Sequence, residues 1–170
     1  IRGSYTSDLF FEDVAIPEEN LLGELGQGYQ VALLTLDVAR VSLSAQCLGG
    51  AKELLDLSIK HANERVQFGQ PIANQEAIQF MLADMAADIY QIESIVYRTA
   101  WLIDHQLSPR RESAICKLAA SQAVCRVADQ AVQIHGGLGY MREDPIERLY
   151  RDACINPIFE GTNEIQHLVI

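Results

Sequence analysis

The sequence has few basic residues and no long apolar run. Lysine and arginine together number 13 against 23 aspartates and glutamates, and the 170-residue chain carries a formal net charge of −10. Nucleic-acid binding needs a basic surface that neutralises phosphates, so we expect no nucleic-acid partner. No uninterrupted apolar run approaches the roughly 18 residues of a membrane span, so we also expect no membrane span.

Cysteine is scarce as well. Cys47, Cys116, Cys125 and Cys154 form no C-x-x-C pair, and no histidine lies near them at the spacing of metal ligands. The spacing therefore predicts free, mostly buried thiols in a reducing compartment, and it predicts no metal site.

What the sequence does contain is the material for a folded core. Residues of the hydrophobic class make up 49% of the chain, and its mean hydropathy is +0.04. Leu9 to Ile16 form a short β-favouring run that Pro17 closes. A lone strand cannot pair its own edges, so we expect its partner strands upstream and interpret the chain as a fragment of a longer protein. The apolar stripe that runs to Ile170 without a stop signal favours the same interpretation.

From Gly28 onward, apolar residues recur at steps of three, four and seven, which indicates helices. The first long helix is expected to stop by residues 69–71 (Gly-Gln-Pro), and the second to stop at residues 108–109 (Ser-Pro). The third should end at residues 136–137 (Gly-Gly), and the fourth should open at residues 144–145 (Asp-Pro). Long helices with short connections favour an all-α fold, an antiparallel four-helix bundle with a short N-terminal β segment.

Three stretches carry residues that a plain bundle does not need. In residues 64–71, Arg65 could hold a phosphate while Phe68 stacks on a ring; alternatively, Arg65 meets the helix dipole and Phe68 is core. In residues 133–140, three glycines after a helix could offer amides to a pyrophosphate; alternatively, they form an ordinary helix end. His135 there is interpreted as a packed or turn residue rather than a base.

The third stretch, residues 150–166, places Glu160 between an apolar Ile-Phe pair and a Gly-Thr turn that begins a new helix. A carboxylate that loses hydration among apolar neighbours accepts protons more readily, which suits a general base. The alternative is a solvated loop glutamate, or one near the positive end of the next helix.

Together and in this order, the three stretches resemble the acyl-CoA dehydrogenase family. The carriers of the resemblance are the Arg-x-x-Phe-Gly-x-Pro-Ile block, the Gln-Ile-His-Gly-Gly-x-Gly-Tyr block and the Tyr-Arg-Asp-Ala…Glu-Gly-Thr-Asn-Glu-Ile-Gln block. The opening residues resemble the exit from the family's middle β-domain. The resemblance therefore implies that residues 1–26 are the end of that domain and a linker, and that residues 27–170 are the C-terminal helical-bundle domain.

The resemblance implies an FAD enzyme that converts an acyl-CoA thioester to a trans-2-enoyl-CoA, as in fatty-acid β-oxidation. Glu160 matches the catalytic base. Some relatives carry the base on the first long helix instead, but Ala39 occupies that position here and cannot accept a proton. Where relatives often have a glutamine that contacts FAD, this chain has Glu76 beside Gln75, which puts that one contact in doubt.

The resemblance also implies the binding residues and partners. The residues that match substrate-binding positions are Asp37, Arg40 and Gly161, although a structural ion pair explains the first two equally well. Those that match FAD-binding positions beside the base are Thr162, Asn163 and Glu164. Those that match positions reaching the FAD of a neighbouring subunit are Arg65, Phe68, Gln133, Ile134, Gly136 and Gly137. A homo-oligomer (a dimer of dimers) and an electron-transfer flavoprotein as acceptor are implied, with a mitochondrial matrix location in a eukaryote and a cytoplasmic one in a bacterium.

Two other functions remain open at this point. An acyl-CoA oxidase would share the helices and the glutamate but pass electrons to oxygen. Alternatively, the chain in isolation is an inactive, oligomerising helical module, because most of the flavin-covering domain lies outside it.

Overall fold

A computed structural model describes all 170 residues, and helices dominate it. Three are long: α1 (Gly28–Glu64), α2 (Glu76–Asp104) and α3 (Arg110–His135). Two are short: α4 (Pro145–Ala153) and α5 (Asn163–Val169). The single sheet is a hairpin of β1 (Val66–Gln67) and β2 (Gln70–Pro71) between α1 and α2. Single 3-10 turns lie at Glu18–Asn20, Ile72–Asn74 and Leu138–Tyr140.

Ion pairs between the long helices fix their directions. Lys52 near the end of α1 pairs with Glu93 of α2, and Asp88 in the first half of α2 pairs with Arg126 of α3. Each pair joins residues at comparable distances from the turn that connects their helices, so α2 runs antiparallel to both neighbours. Helices α1 and α3 are therefore parallel, and His61 and His135 meet at their shared carboxyl end.

The core lies between α1, α2 and α3. Small side chains on α3 let its neighbours approach closely, and the alanines among them with at most 1% exposure are Ala114, Ala120, Ala123, Ala128 and Ala131. Larger residues such as Leu54 of α1 and Met85 of α2 fill the remaining space. The close packing explains why the central helix is rich in alanine, since a larger side chain there would overpack the core.

The helix boundaries follow the local signals of the sequence. Asp144 caps α4, accepting a hydrogen bond from the Ile146 N–H at 2.9 Å, and Pro145 occupies the first helical position. The all-α prediction is confirmed. Only three of the helices are long, however, because the fourth ends after nine residues and the chain turns again before α5.

The strand expected at residues 9–16 is not formed. These residues have no strand assignment, and their apolar side chains are exposed: Phe10 is 88% and Phe11 75% accessible. A strand needs a partner edge, and no other segment of the chain pairs with this one. The division at residues 26 and 27 stays a prediction.

Helix α1 is long and apolar enough, by length and composition alone, to cross a membrane. In this fold it is a bundle helix, because Leu43, Leu54 and Ala62 are buried in the core that α1 shares with α2 and α3. It also carries the buried ion pair of Asp37 and Arg40. The cysteines are free thiols: Cys47 and Cys116 are buried, Cys125 is half-buried, and Cys154 is exposed, contrary to the expected burial only at this last position.

Candidate functional site

Glu160 lies on a tight turn between α4 and α5. Its φ angle of 58° and the 84° of Gly161 place both residues in the left-handed region. A Cβ atom added to Gly161 would lie 2.9 Å from the Gln166 Nε2 atom. Only glycine fits this second position without displacing a neighbour, so the Glu-Gly pair is set by the geometry of the turn.

The fully buried side chain of Gln166 hydrogen-bonds to the backbone of this turn. Its side-chain amide donates to the carbonyl oxygens of Glu160 at 3.3 Å and Gly161 at 2.8 Å. The Thr162 hydroxyl caps α5 by accepting from the Ile165 N–H at 3.4 Å. The backbone of the turn is thus held by side chains at the start of the helix that follows it.

The Glu160 carboxylate and its own backbone amide are both left without protein partners. The carboxylate atom Oε2 is buried and accepts no hydrogen bond, and the Glu160 N–H donates to no protein acceptor. Buried polar groups are normally paired, so the free Oε2 atom indicates a ligand site, and the N–H of the same residue is available to that ligand. Together they can take up a proton and hydrogen-bond an oxygen of the same ligand.

Asp37 and Arg40 of α1 lie beside this turn. They form a buried ion pair at 3.1 Å, and the Ser113 hydroxyl of α3 donates to Asp37 at 3.5 Å. The Arg40 Nη2 atom lies 3.9 Å from the Cβ position built on Gly161, and its Nε atom has no partner. An open cavity of about 370 Å³ is lined by Asp37, Arg40 and Arg110. The structure therefore brings Arg40 next to Gly161 of the turn, and the ion pair of Asp37 and Arg40 forms part of the cavity wall.

Two buried residues at this site were missed by the sequence reasoning. Lys117 donates from Nζ to the Asn163 Oδ1 atom at 2.8 Å, and the Ser121 hydroxyl donates to the same oxygen at 3.0 Å. The signal was present, because Lys117 and Ser121 occupy the core spacing of α3 alongside Ala114 and Val124. The Asn163 amide oxygen is thus engaged inside the protein, while Thr162 is half-buried and Glu164 exposed on the outer side.

A second group of predicted residues meets at the carboxyl end of α1 and α3. Arg65, Gly136 and Gly137 line one open cavity of about 570 Å³ together with His61 and His135. The two histidine rings stack with centroids 4.3 Å apart. Burial, and then the neighbouring His135, lower the pKa of His61. His135 is buried and bonded to the Ala131 carbonyl at 2.9 Å, as expected for a packed residue.

The remaining predicted residues of this group divide by exposure. Phe68, at the tip of the β1–β2 hairpin, is 94% exposed rather than core, and Gln133 is exposed on the last turn of α3. Ile134 is 4% exposed and packs in the core, so only its backbone is free to contact a cofactor. The exposed guanidinium of Arg65, the exposed ring of Phe68 and the exposed backbone of Gly136 and Gly137 fit a nucleotide cofactor that contains a pyrophosphate.

The structure does not bring the two groups of predicted residues together. Arg40 and Arg65 are separated by 25 residues of a single helix, which at 1.5 Å per residue is about 37 Å. One ligand lying at Glu160 therefore does not also reach Arg65 of the same chain unless it spans the bundle.

The chain is similar in sequence and in structure to known proteins. The family model described as acyl-CoA dehydrogenase, C-terminal domain, matches residues 26–170. The short-chain specific acyl-CoA dehydrogenase of Rattus norvegicus mitochondria is 49% identical over 170 residues, which are 100% of this chain and 41% of the relative. The caffeyl-CoA reductase-Etf complex subunit CarC of Acetobacterium woodii is 44% identical over 168 residues, 99% of this chain and 44% of the relative.

A solved structure shows the same fold. The acyl-CoA dehydrogenase from Bacillus anthracis, complexed with FAD, superposes with a TM-score of 0.87 at 42% identity, over 93% of this chain and 30% of that one. The chain spans about two fifths of the length of the curated relatives it matches.

Proposed function

The chain belongs to the acyl-CoA dehydrogenase family, and from that premise we propose that it is the C-terminal part of an enzyme that oxidises an acyl-CoA thioester to a trans-2-enoyl-CoA. FAD, when bound, supplies the acceptor for the hydride that leaves the β-carbon. Glu160 takes the proton from the α-carbon. The observation that carries this proposal is the buried Oε2 atom of Glu160, which accepts no hydrogen bond from the protein.

The free amide of Glu160 gives the turn a second role. An α-carbon is a weak acid, and a hydrogen bond to the thioester oxygen stabilises the charge that develops there as the proton leaves. The Glu160 N–H donates to no protein acceptor, so it is free to make that bond. The base and one donor to the oxygen thus come from the same residue.

The residues around the turn bind the substrate and exclude water. Asp37 and Arg40 line a cavity, and Arg40 also lies close to Gly161 of the turn. A bound acyl-CoA would cover Glu160 and strengthen the electrostatic interactions there. The 49% identity to a short-chain specific dehydrogenase supports a short acyl chain.

The two groups of residues hold FAD at two different sites of a homo-oligomer. Thr162 and Glu164 would contact the cofactor beside the base. Arg65, Phe68, Gln133, Gly136 and Gly137 would contact the cofactor of a neighbouring subunit. The separation of about 37 Å along α1 supports this division.

The electron acceptor is an electron-transfer flavoprotein. A relative at 44% identity is named as a subunit of a reductase-Etf complex, which supports this partner. The same name favours a second candidate function, the reverse reaction, in which Glu160 returns a proton to the α-carbon of an enoyl-CoA.

The experiment that tests the proposal is anaerobic reduction of the flavin in the full-length protein. A panel of acyl-CoAs of increasing chain length is mixed with the oxidised holoenzyme, and the loss of flavin absorbance is followed. We expect bleaching with short chains foremost. Flavin that stays oxidised with every thioester would contradict the proposal, and peroxide released rapidly in air would identify an oxidase instead.

A further inference from the structure

Lys117 is a buried cation that the proposed chemistry does not use. Its side chain is 0% exposed in the middle of α3, among the alanines and valines of the core. Burying a charged ammonium group costs free energy unless the fold offers strong partners. Burial accordingly lowers the pKa of Lys117. A residue with this cost needs an explanation other than core packing.

The partners of Lys117 do not include a carboxylate. None of the six ion pairs in the chain involves it, and its one hydrogen bond goes to the Asn163 side chain at 2.8 Å. An apolar residue of the same length would fill this place at no desolvation cost, and such replacements are often neutral or stabilising. Apolar side chains at both 117 and 163 would therefore satisfy packing, and the contact with Asn163 is what distinguishes the lysine.

Asn163 joins this contact to the turn that carries Glu160. It is the first residue of α5, and its N–H donates to the Pro157 carbonyl at 2.9 Å, closing the segment from 157 to 163. Its side-chain oxygen is fixed to α3 by Lys117 and Ser121. The carbonyls of Glu160 and Gly161 are meanwhile held by Gln166. The turn thus has one anchor within α5 and one on α3.

We propose that Lys117 is a positioning residue for Glu160, fixing through Asn163 where the base-carrying turn lies against the bundle. This inference rests on the proposed function, because it assigns Lys117 a purpose only if Glu160 accepts a proton. Glu160 reaches α3 through no side-chain bond of its own, so Lys117 and Ser121 supply the polar tie between its segment and the central helix. Misplacement of a reacting group by about 1 Å can cost about 100-fold in rate.

The test compares wild type with Lys117→Met in the full-length holoenzyme. Methionine retains the length and apolar contacts of the side chain but cannot donate to Asn163. We measure FAD content, melting temperature, and the rate of anaerobic flavin bleaching against the concentration of a short-chain acyl-CoA. Lys60→Met serves as the matched control, since Lys60 is exposed on α1.

We expect Lys117→Met to retain FAD and its half-saturating substrate concentration, while its bleaching rate at saturation falls about 100-fold. Deuterium at the α-carbon should slow the variant by a larger factor than it slows wild type, because proton removal is the step impaired. A residue needed only for packing would change the melting temperature or FAD content and leave the rate per bound flavin at the wild-type value. That result would overturn the proposal.

Lys117→Met leaves the Asn163 oxygen with Ser121 as its sole partner, so a second variant guards against misfolding. Lys117→Met/Asn163→Leu replaces both partners by apolar groups, which avoids unpaired buried atoms. It should fold and bleach as slowly as Lys117→Met. A wild-type rate, or failure of both variants to fold, would contradict the proposal. Absence of bleaching in wild type itself would instead contradict the proposed dehydrogenation.

Discussion

At the residue scale, the site depends on two adjacent positions with different requirements. Glu160 supplies the carboxylate and a free N–H, and Gly161 supplies a backbone conformation that other residues adopt at a cost. Gln166 fits closely against Gly161 because no side chain intervenes. The backbone position of Glu160 therefore depends on the absence of a side chain at Gly161.

Gly161→Ala should lower the free energy of unfolding by about 1–3 kcal/mol, through a positive φ and a close contact with Gln166. It should also slow flavin bleaching in the full-length protein, because the turn must shift. Gly49→Ala is the control: Gly49 lies within α1, a Cβ there meets no atom within 4 Å, and alanine should stabilise the helix by about 0.5–1 kcal/mol. Urea denaturation measures both, and equal effects would show that the turn does not require glycine.

At the element scale, the parallel arrangement of α1 and α3 creates a site at each end of the pair. The amino ends place Asp37 next to Ser113, and the carboxyl ends stack His61 on His135. His61 and His135 lie far apart in the sequence, and so do Arg65 and Gly136. Because α2 returns the chain antiparallel to α1, the fold brings all four residues to one cavity.

The histidine stack makes stability depend on pH. The pKa of His61 is lowered in the folded protein, chiefly by burial, so the unfolded chain binds the proton more tightly. The folded protein therefore keeps its full stability at a pH above the unfolded-state pKa of His61, about 6.5. It loses stability as the pH falls below that value towards the lowered pKa of the folded state. His61→Phe should flatten the decline of melting temperature between pH 8 and pH 5. An unchanged decline would show that His61 does not contribute.

The helices could be predicted from local signals, and two other features could not. Pro109, Gly136 and the Asp144 cap act within a few residues, so the sequence shows them directly. The run from Leu9 to Ile16 has strand propensity, yet a strand forms only against another strand. The role of Lys117 was hidden for a similar reason, because its partner Asn163 lies 46 residues away and is brought to it only by packing.

At the scale of the whole molecule, the proposed function gives one chain two halves of different cofactor sites. Arg40, which lies beside the Glu160 turn, and Arg65 are about 37 Å apart along α1. In a symmetric pair, the carboxyl end of one protomer's bundle can complete the site at the other's Glu160. The proposed oligomer is therefore a condition of cofactor binding.

Mixed oligomers test this arrangement. Subunits with Glu160→Gln and subunits with Arg65→Ala are co-expressed in full-length form and purified by two different tags. One of the two sites in each mixed pair would combine an intact Glu160 with an intact Arg65 from its neighbour, so about half of the wild-type bleaching should return. No recovery above the Arg65→Ala parent would show that Arg65 acts within its own subunit.

The most direct measurement of the central claim is a single-turnover comparison of wild type, Glu160→Gln and Glu53→Gln. Glu53 is exposed on α1, so its variant controls for the loss of a carboxylate. The full-length proteins are mixed anaerobically with a short-chain acyl-CoA. We predict that Glu53→Gln bleaches like wild type, whereas Glu160→Gln binds FAD and acyl-CoA but leaves the flavin oxidised. Bleaching of Glu160→Gln at the wild-type rate would contradict the account, because the proton would then leave by way of another group.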